Sequence, residues 1–470
     1  MKLASRIYEA SPPWLQNLLV SGYGYRLRAL RYGGIYDRVL AELRKSQWFD
    51  EADLARIQLE HLRTVVGAAR RNVPFYRDRG GLPDHLESLT DLRTVPILKK
   101  ADIHSAGRRL VSERYAGHQL LTVHTGGTTG TPLTIYCDAP TRQRNFAFIS
   151  RLKEWAGAGE GDRTATFAGR LVVPSGSGPP YWRRNRAANT WLFSSYHIGP
   201  DTVSQYVEAL ARIQPELIDS YPSSLEPIAR YILAEDIRSV RPKAIITSSE
   251  TLFPSVRNLL EEAFDCPVRD HYGAAEMAGL IAECEHGRYH VNSEFGVIEI
   301  LRDGAPVGAG EVGEIVATGF VNPVMPLIRY ATGDLAVRGS GEICPCGRAF
   351  PTIERIEGRV DETIVTPEGR RVGRIDPVFK VLSTPLEIRI IQDARDHLTV
   401  EFVSDRPLPE AEQTAFRKEL KGRVGASMAV TFKRVDHIAR AGSGKRRTVV
   451  NRVGRDDRER RPDEAAGTSS

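Results

Sequence analysis

The spacing of apolar positions changes along the chain, and each change predicts a different kind of structure. Residues 1–80 follow a helical pattern. In EADLARIQLEHLRTVVGAARRNVPFYRDR the side chains of Leu54, Ile57, Leu62, Val65 and Val66 recur at roughly helical intervals, and Pro74 is expected to end the run. Loop and short helix follow over 81–118. Beyond them, LLTVHT (120–125), ELIDSYP (216–222), AIITSSE (244–250) and PVRDHYG (267–273) read as strands running into polar turns. Thr202–Ile213 and Pro254–Phe264 read as helices between them. Strands alternating with helices predict an α/β fold with a largely parallel sheet. From about 290 to 340 the texture is strand and turn, as in YHVNSEFGVIEILRDG, which predicts a β subdomain. A smaller α/β unit is expected from Gly358 to about 455. The tail VGRDDRERRPDEAAGTSS carries too little apolar surface to fold. No internal repeat is evident.

Composition narrows the class. With 470 residues, 41% apolar and 26% charged, the chain is globular and long enough for two or three domains. Sixty-five Lys+Arg against 59 Asp+Glu leave +6, a small and dispersed excess that gives little support to a nucleic-acid binder. Five cysteines at this length do not suggest a disulfide framework. No run approaches the ~20 apolar residues of a membrane span, and MKLASRIYEASPPWLQNLLV lacks a signal-peptide core. The expectation is a cytoplasmic protein. Contact with a membrane surface and the oligomeric state stay open.

The strongest short motif is His124-Thr-Gly-Gly-Thr-Thr-Gly-Thr-Pro132 after a candidate strand. Gly126, Gly127 and Gly130 allow close backbone approach to phosphate, and successive N–H groups make an anion nest. Thr125, Thr128 and Thr129 add hydroxyl donors. No Gly-Lys-Ser/Thr follows, so this is not a Walker loop.

VHTGGTTGTP resembles the phosphate loop of adenylate-forming enzymes, the acyl-CoA synthetase and ligase superfamily. Further pieces fall in that family's order. His271-Tyr-Gly-Ala-Ala-Glu276 is similar to its Tyr-Gly-x-x-Glu motif, and Tyr330-Ala-Thr-Gly-Asp334 to its Tyr-x-Thr-Gly-Asp motif. Gly358-Arg-Val-Asp361 is similar to its hinge, and Gly444-Lys445 to the Gly-Lys of its mobile domain. Taken singly, Asp334 is a turn residue, Glu276 a helix-start residue and Lys445 a solvated lysine; their shared order carries the resemblance. Within the superfamily the chain most resembles the phenylacetate–CoA ligase group, and there the CapK-type proteins of capsular polysaccharide loci. RRNVPFYRDR, FAGR (167–170), WLFSSYHIG (191–199) and DSYPSSLEPIA (219–229) support that placement.

The resemblance implies a large N-terminal AMP-binding domain (1–357, with its helical N-terminal region), built from parallel sheets and a β subdomain. A small mobile C-terminal α/β domain (358–455) and a disordered tail (456–470) complete the expected organisation. It implies that a small carboxylic acid and ATP form an acyl-adenylate and pyrophosphate, and that the acyl group passes to CoA. The acid is already ionised, so the task is to position two anions and neutralise phosphate charge. In that scheme Thr125 and Gly126–Gly130, with Thr128 and Thr129, cradle the β- and γ-phosphates. Glu276 holds Mg²⁺, Asp334 and Arg359 bind the ribose, Tyr272 lies near adenine, and Lys445 meets the charge between carboxylate and α-phosphate. Thr131 stands where many superfamily members carry a lysine, so Arg170 and Arg329 are candidates for the missing charge. Phe167, Tyr196, Tyr221 and Ser248 are candidates to line the acid pocket. Two alternatives stand: transfer to an amine or sugar in polysaccharide assembly, and a non-catalytic nucleotide-binding scaffold.

A metal site is also expected. Cys284-Glu-His286-Gly and Cys344-Pro-Cys346-Gly together supply a Cys₃His set suited to structural Zn²⁺, with His290 the substitute if His286 points away. Some members of the ligase group resemble this pattern. Buried or free thiols are the alternative. Cys137 and Cys266 belong to no motif and are expected in the core.

Overall fold

The computed structural model describes residues 7–125, 133–168, 172–174, 177–359, 364–367, 371–372, 376–379, 381–382, 387–439 and 447–453. Helices α1 (Pro13–Tyr32), α2 (Tyr36–Ser46), α3 (Glu51–Asn72), α4 (Pro74–Arg79) and α5 (Lys100–Ala106) come first. In α3 the Asp50 side chain caps the start by accepting from the Asp53 amide at 2.8 Å, and Leu54, Leu62, Val65 and Val66 are buried. Helix α3 does end at Asn72, but Pro74 opens α4 rather than closing a helix. A proline lacks the N–H that the first turn leaves unpaired in any case, so it is tolerated there.

Strands β1 (Leu121–His124) and β2 (Thr134–Cys137) form a separate antiparallel hairpin. Then come α6 (Ala139–Trp155), β3 (Thr164–Phe167), β4 (Trp182–Asn185), β5 (Thr190–Phe193), α7 (Val203–Ile213), β6 (Leu217–Ser220), α8 (Pro222–Ala234), β7 (Ala244–Ser248), α9 (Pro254–Phe264) and β8 (Val268–Gly273). An antiparallel run follows: β9 (Leu280–Glu283), β10 (Tyr289–Val291), β11 (Gly296–Arg302), β12 (Ala305–Pro306), β13 (Val312–Gly319), β14 (Tyr330–Arg338) and β15 (Thr352–Arg359).

All but the hairpin among these strands join one 13-stranded sheet, ordered β12-β11-β13-β14-β15-β10-β9-β8-β7-β6-β3-β5-β4. Strands β5, β3, β6, β7 and β8 run parallel, and pairing turns antiparallel at β8–β9. The expected β subdomain is thus the antiparallel half of the same sheet. The parallel half is covered on both faces: Ile245 and Val268 pack with α7, α8 and α9, whereas Ala244 and Ile246 face the core shared with α2 and α3. Burial on both faces is why β7 opens on consecutive apolar residues, Ala244, Ile245 and Ile246, instead of alternating with polar ones.

The remaining described elements are β16 (Ile364–Val365), β17 (Arg371–Val372), α10 (Asp376–Phe379), β18 (Glu387–Ala394), β19 (His397–Val403), α11 (Glu410–Val424), β20 (Ala429–Arg434) and β21 (Val449–Asn451). Strands β20-β19-β18-β21 make a second sheet with its own core, including Ile390, Val400, Phe416 and Leu420.

One buried charge ties the N-terminal half together. Arg151 on α6 has no exposed surface and binds Glu294 at 2.8 and 3.2 Å, Asn292 Oδ1 at 2.6 Å and the Leu43 carbonyl at 3.1 Å. Ser46 donates to the same Glu294 carboxylate at 2.7 Å. Burial works against ionisation of Glu294, but the Arg151 charge and these hydrogen bonds outweigh it, and its carboxyl lies below the ordinary range. Removing one member of such a pair leaves a bare buried charge. Arg151→Met is therefore expected to cost about 3–5 kcal/mol in urea unfolding, and adding Glu294→Gln to recover part of it.

Candidate functional site

The parallel strands β6, β7 and β8 release their loops at their carboxyl ends, the place where open α/β sheets bind ligands. Strand β8 presents Tyr272 there. Its hydroxyl donates to Asp334 Oδ2 at 2.7 Å, linking two motifs that lie 62 positions apart. Asp334 sits on β14 directly opposite Arg359 of β15 in the antiparallel register. Burial raises the Tyr272 hydroxyl well above its ordinary pKa, and the Asp334 carboxylate adds to the rise.

Glu276 follows in the turn after β8. The Tyr330 hydroxyl, at the start of β14, donates to Glu276 Oε1 at 3.1 Å. Burial pushes the Glu276 carboxyl up, and nearby Asp334 pushes the same way, while Tyr330 and Lys100 oppose them. The turn is pressed against β13: a Cβ on Gly319 would lie 2.6 Å from the Met277 carbonyl oxygen. Glu314 on β13 accepts from the Gly333 amide at 3.1 Å, and burial together with Asp334 raises its carboxyl as well.

Sequence patterns missed Glu314, Lys99 and Lys100. The Leu98 amide donates to the Arg329 carbonyl and the Ala331 amide to the Leu98 carbonyl, each at 2.9 Å. That short parallel bridge to Tyr330 brings the two lysines to the carboxylates. Adjacent lysines in an arginine-rich chain were the available signal.

The glycine-rich loop is bracketed by β1 and β2. Thr125 closes its neck: the Leu133 amide donates to Thr125 Oγ1 at 2.9 Å, and the Thr125 amide donates to the Leu133 carbonyl at 3.1 Å. Gly126, Gly127, Thr128, Thr129 and Gly130 lie outside the described residues, as do Arg170, Asp361 and Lys445 and the 456–470 tail.

Two expectations need correction. Arg329 is not available for phosphate. It is buried, binds Glu299 at 3.0 and 3.1 Å, and donates to the Arg93 and Val95 carbonyls. Its φ of 53° is left-handed, a conformation the surrounding bonds must hold. Phe167 does not line a pocket. It is fully buried and stacks on Phe193 with ring centroids 4.7 Å apart.

The cysteine cluster forms, but with a different histidine. Cys284, His290, Cys344 and Cys346 are all buried, and their ligand atoms lie within 4.8 Å of one another. The Cys284 and Cys344 sulfurs are 3.6 Å apart, and Cys346 Sγ is 3.4 Å from His290 Nε2. His286 is not among the four residues. Residues of β9 and β10 project to alternate faces, so His290, paired with Ala282, shares the face of Cys284. His286 falls in the turn, where it is exposed beside a cleft of about 480 Å³ that Arg257 and Tyr289 also line. Its backbone amide still donates to Cys284 Sγ at 3.4 Å. His290 Nδ1 lies 3.4 Å from the Phe350 carbonyl, which leaves Nε2 toward the sulfurs. Cys137 and Cys266 are buried in the two cores.

Comparison with known proteins agrees with this architecture. Residues 364–452 match the family described as the CapK C-terminal domain. Protein CapK of Staphylococcus aureus is 28% identical over 95% of this chain and 99% of its own length. Phenylacetate-coenzyme A ligase of Thermus thermophilus is 26% identical over 85% of this chain and 96% of its own. The crystal structure of 2-hydroxyisobutyryl-CoA ligase in the postadenylation state, in complex with R3-HIB-AMP, superposes with a TM-score of 0.66. It covers 86% of this chain and 90% of that one, at 20% identity. The class is therefore that of the adenylate-forming CoA ligase fold. Within that class the chain is a homologue of CapK and of phenylacetate-coenzyme A ligase.

Just before Tyr272, Asp270 is buried and accepts from Thr247 Oγ1 at 2.6 Å and the Tyr289 hydroxyl at 2.7 Å. Burial raises its carboxyl to about 7, and neighbouring Glu283 adds to the rise. The folded state then holds a proton that the unfolded carboxyl has lost, so stability falls as pH rises from about 4 to about 7. Asp270→Asn is expected to flatten that decline, read as the melting temperature against pH.

Proposed function

We propose that the protein activates a small carboxylic acid with ATP and passes the acyl group to CoA. A carboxylate oxygen attacks the α-phosphorus, the acyl-adenylate forms and pyrophosphate leaves. The CoA sulfur then displaces AMP from the acyl carbon. The observation that carries this reading is the Tyr272–Asp334 hydrogen bond with Arg359 opposite Asp334, which gathers separate motifs at one strand end. In this reading Asp334 accepts from the ribose hydroxyls and Arg359 donates to the same sugar. Tyr272 orients the carboxylate and lies beside the base. Thr125 sets the neck of the loop whose Gly126, Gly127, Thr128, Thr129 and Gly130 enclose the phosphates.

Mg²⁺ would supply positive charge to the phosphates. Glu276 suits it: burial raises its carboxyl, and a hard cation would favour the ionised form that burial disfavours. Lys99 and Lys100 take the place of the lysine missing at Thr131. Gly358, with φ of 100° that favours glycine, suits the hinge between 1–357 and 358–455, and rotation about it would bring in Lys445.

The test is ATP–pyrophosphate exchange with pooled carboxylic acids, Mg²⁺ and no CoA. Exchange with one pool is expected, and Glu276→Ala and Lys445→Ala should each lower it by about 100-fold. Folded protein that binds ATP yet exchanges with no pool would sink the proposal. A second acceptor, an amine or a sugar hydroxyl, is favoured by one observation: residues 364–452 match the CapK C-terminal domain. Loss of free CoA thiol in the presence of acid and ATP separates the two acceptors.

A structural Zn²⁺ on Cys284, His290, Cys344 and Cys346 belongs to the same proposal. Zn–S bonds of about 2.3 Å in a tetrahedron place sulfurs about 3.8 Å apart, close to the 3.6 Å between Cys284 and Cys344. Purified protein should carry zinc. His290→Ala and Cys344→Ser should lose it and melt at lower temperature, while His286→Ala should retain both metal and stability.

A further inference from the structure

Helix α1 is amphipathic the wrong way round for a helix that only packs on its own protein. Its buried residues are Gln16, Ser21 and Gly24. They seat it on the edge strand β4 through polar bonds. Arg183 Nε donates to Gln16 Oε1 at 2.5 Å, Ser21 Oγ donates to the Arg184 carbonyl at 3.2 Å, and the Arg184 amide donates to Asn17 Oδ1 at 2.8 Å. The outward side carries the large apolar groups instead. Trp14, Leu18, Tyr23 and Tyr25 are 64%, 53%, 61% and 60% exposed, and Leu19 is exposed beside them. At about 100° per residue, Trp14, Leu18 and Tyr25 share one stripe, and Leu19, Arg26 and Tyr23 continue it around the solvent side.

Charge says what covers this face. The sequence from Pro13 to Tyr32 contains Arg26, Arg28 and Arg31 and no Asp or Glu. Arg184 and Arg186 are exposed on the strand and turn beneath it. Arg28 is partnered by Glu160 at 3.6 Å, whereas Arg26 lies within the apolar sector itself. A two-fold contact with a second copy would set like charges against each other with no carboxylate on the helix to answer them. Trp and Tyr side chains flanked by arginine suit the headgroup zone of a bilayer, where their rings bury and their polar tips stay wet. No described helix is long and apolar enough to cross a membrane. We propose that α1 lies flat on an anionic phospholipid surface, with Trp14, Leu18 and Tyr25 inserted and Arg26 at the headgroups. The inference does not depend on the ligase reading.

The full chain is to be sedimented with vesicles of phosphatidylcholine alone and of phosphatidylcholine mixed with phosphatidylglycerol, at low and high salt. Expected are binding to the anionic vesicles and release by salt. The bound fraction should fall at least about tenfold in the combined Trp14→Ser, Leu18→Ser, Tyr25→Ser variant. Because these side chains face solvent, circular dichroism and melting temperature should match the parent. Arg26→Glu, which alters a single exposed charge, should weaken anionic binding independently. The proposal fails if the parent ignores anionic vesicles at low salt, or if both variants bind as the parent does. It also fails if the lipid-free parent is a dimer that the combined variant dissociates, an outcome that assigns the face to a second copy.

Discussion

A guanidinium without solvent contact needs partners from the protein, and the N-terminal half is organised around one, Arg151, whose two terminal nitrogens are both bonded while Nε is not. Arg151 receives a carboxylate from Glu294, an amide oxygen from Asn292 and a carbonyl from Leu43, while the Phe148, Trp155 and Phe350 rings surround it. These partners come from α2, α6, the link before β11 and the segment after the cysteine knuckle. Satisfying one charge therefore sets where four parts of the chain sit. Trp155 extends the arrangement by donating to Gln47, and Arg348 stacks between Trp48 and Trp155 two residues beyond Cys346. The cysteine cluster and the N-terminal helices share one scaffold.

The same economy governs the candidate site. Pairing changes from parallel to antiparallel where β8 meets β9, and the β13–β15 strands return beside the loops of the parallel half. Tyr272 and Asp334 meet because of that change of direction. The carboxyls of Glu276 and Glu314 are held above their ordinary range by burial and by Asp334, with Lys99 and Lys100 on the opposing side. Perturbed carboxyls gathered at one strand end are a common mark of function.

Much of this was legible in the one-dimensional pattern. Pro254–Phe264 forms a helix with those bounds, and ELIDSYP, AIITSSE and PVRDHYG all contain parallel strands, because turn chemistry and apolar runs are local signals. What the pattern missed depends on contacts between distant segments. The β texture of 290–340 was legible, but not its continuity with the parallel half, since hydrogen bonding between β8 and β9 has no signature in either strand. Arg329 looked like a free cation until Glu299 and two carbonyls claimed it. Its spacing from Tyr330 says nothing of what folds against it.

The histidine of the cysteine cluster divides the two kinds of knowledge most plainly. Sequence by itself determined that three cysteines and a histidine sit in short turn-forming pairs, and it carried the order of motifs that a shared ancestry preserves. It also determined that Pro13–Tyr32 is basic and apolar with no carboxylate. Only the tertiary structure decided that His290 rather than His286 joins the sulfurs. Strand pairing puts His290 on the face of Cys284, whereas His286 belongs to the exposed turn between the two strands. It decided likewise that the polar side of α1 faces inward, because β4 offers that helix backbone groups to bond rather than apolar surface to cover.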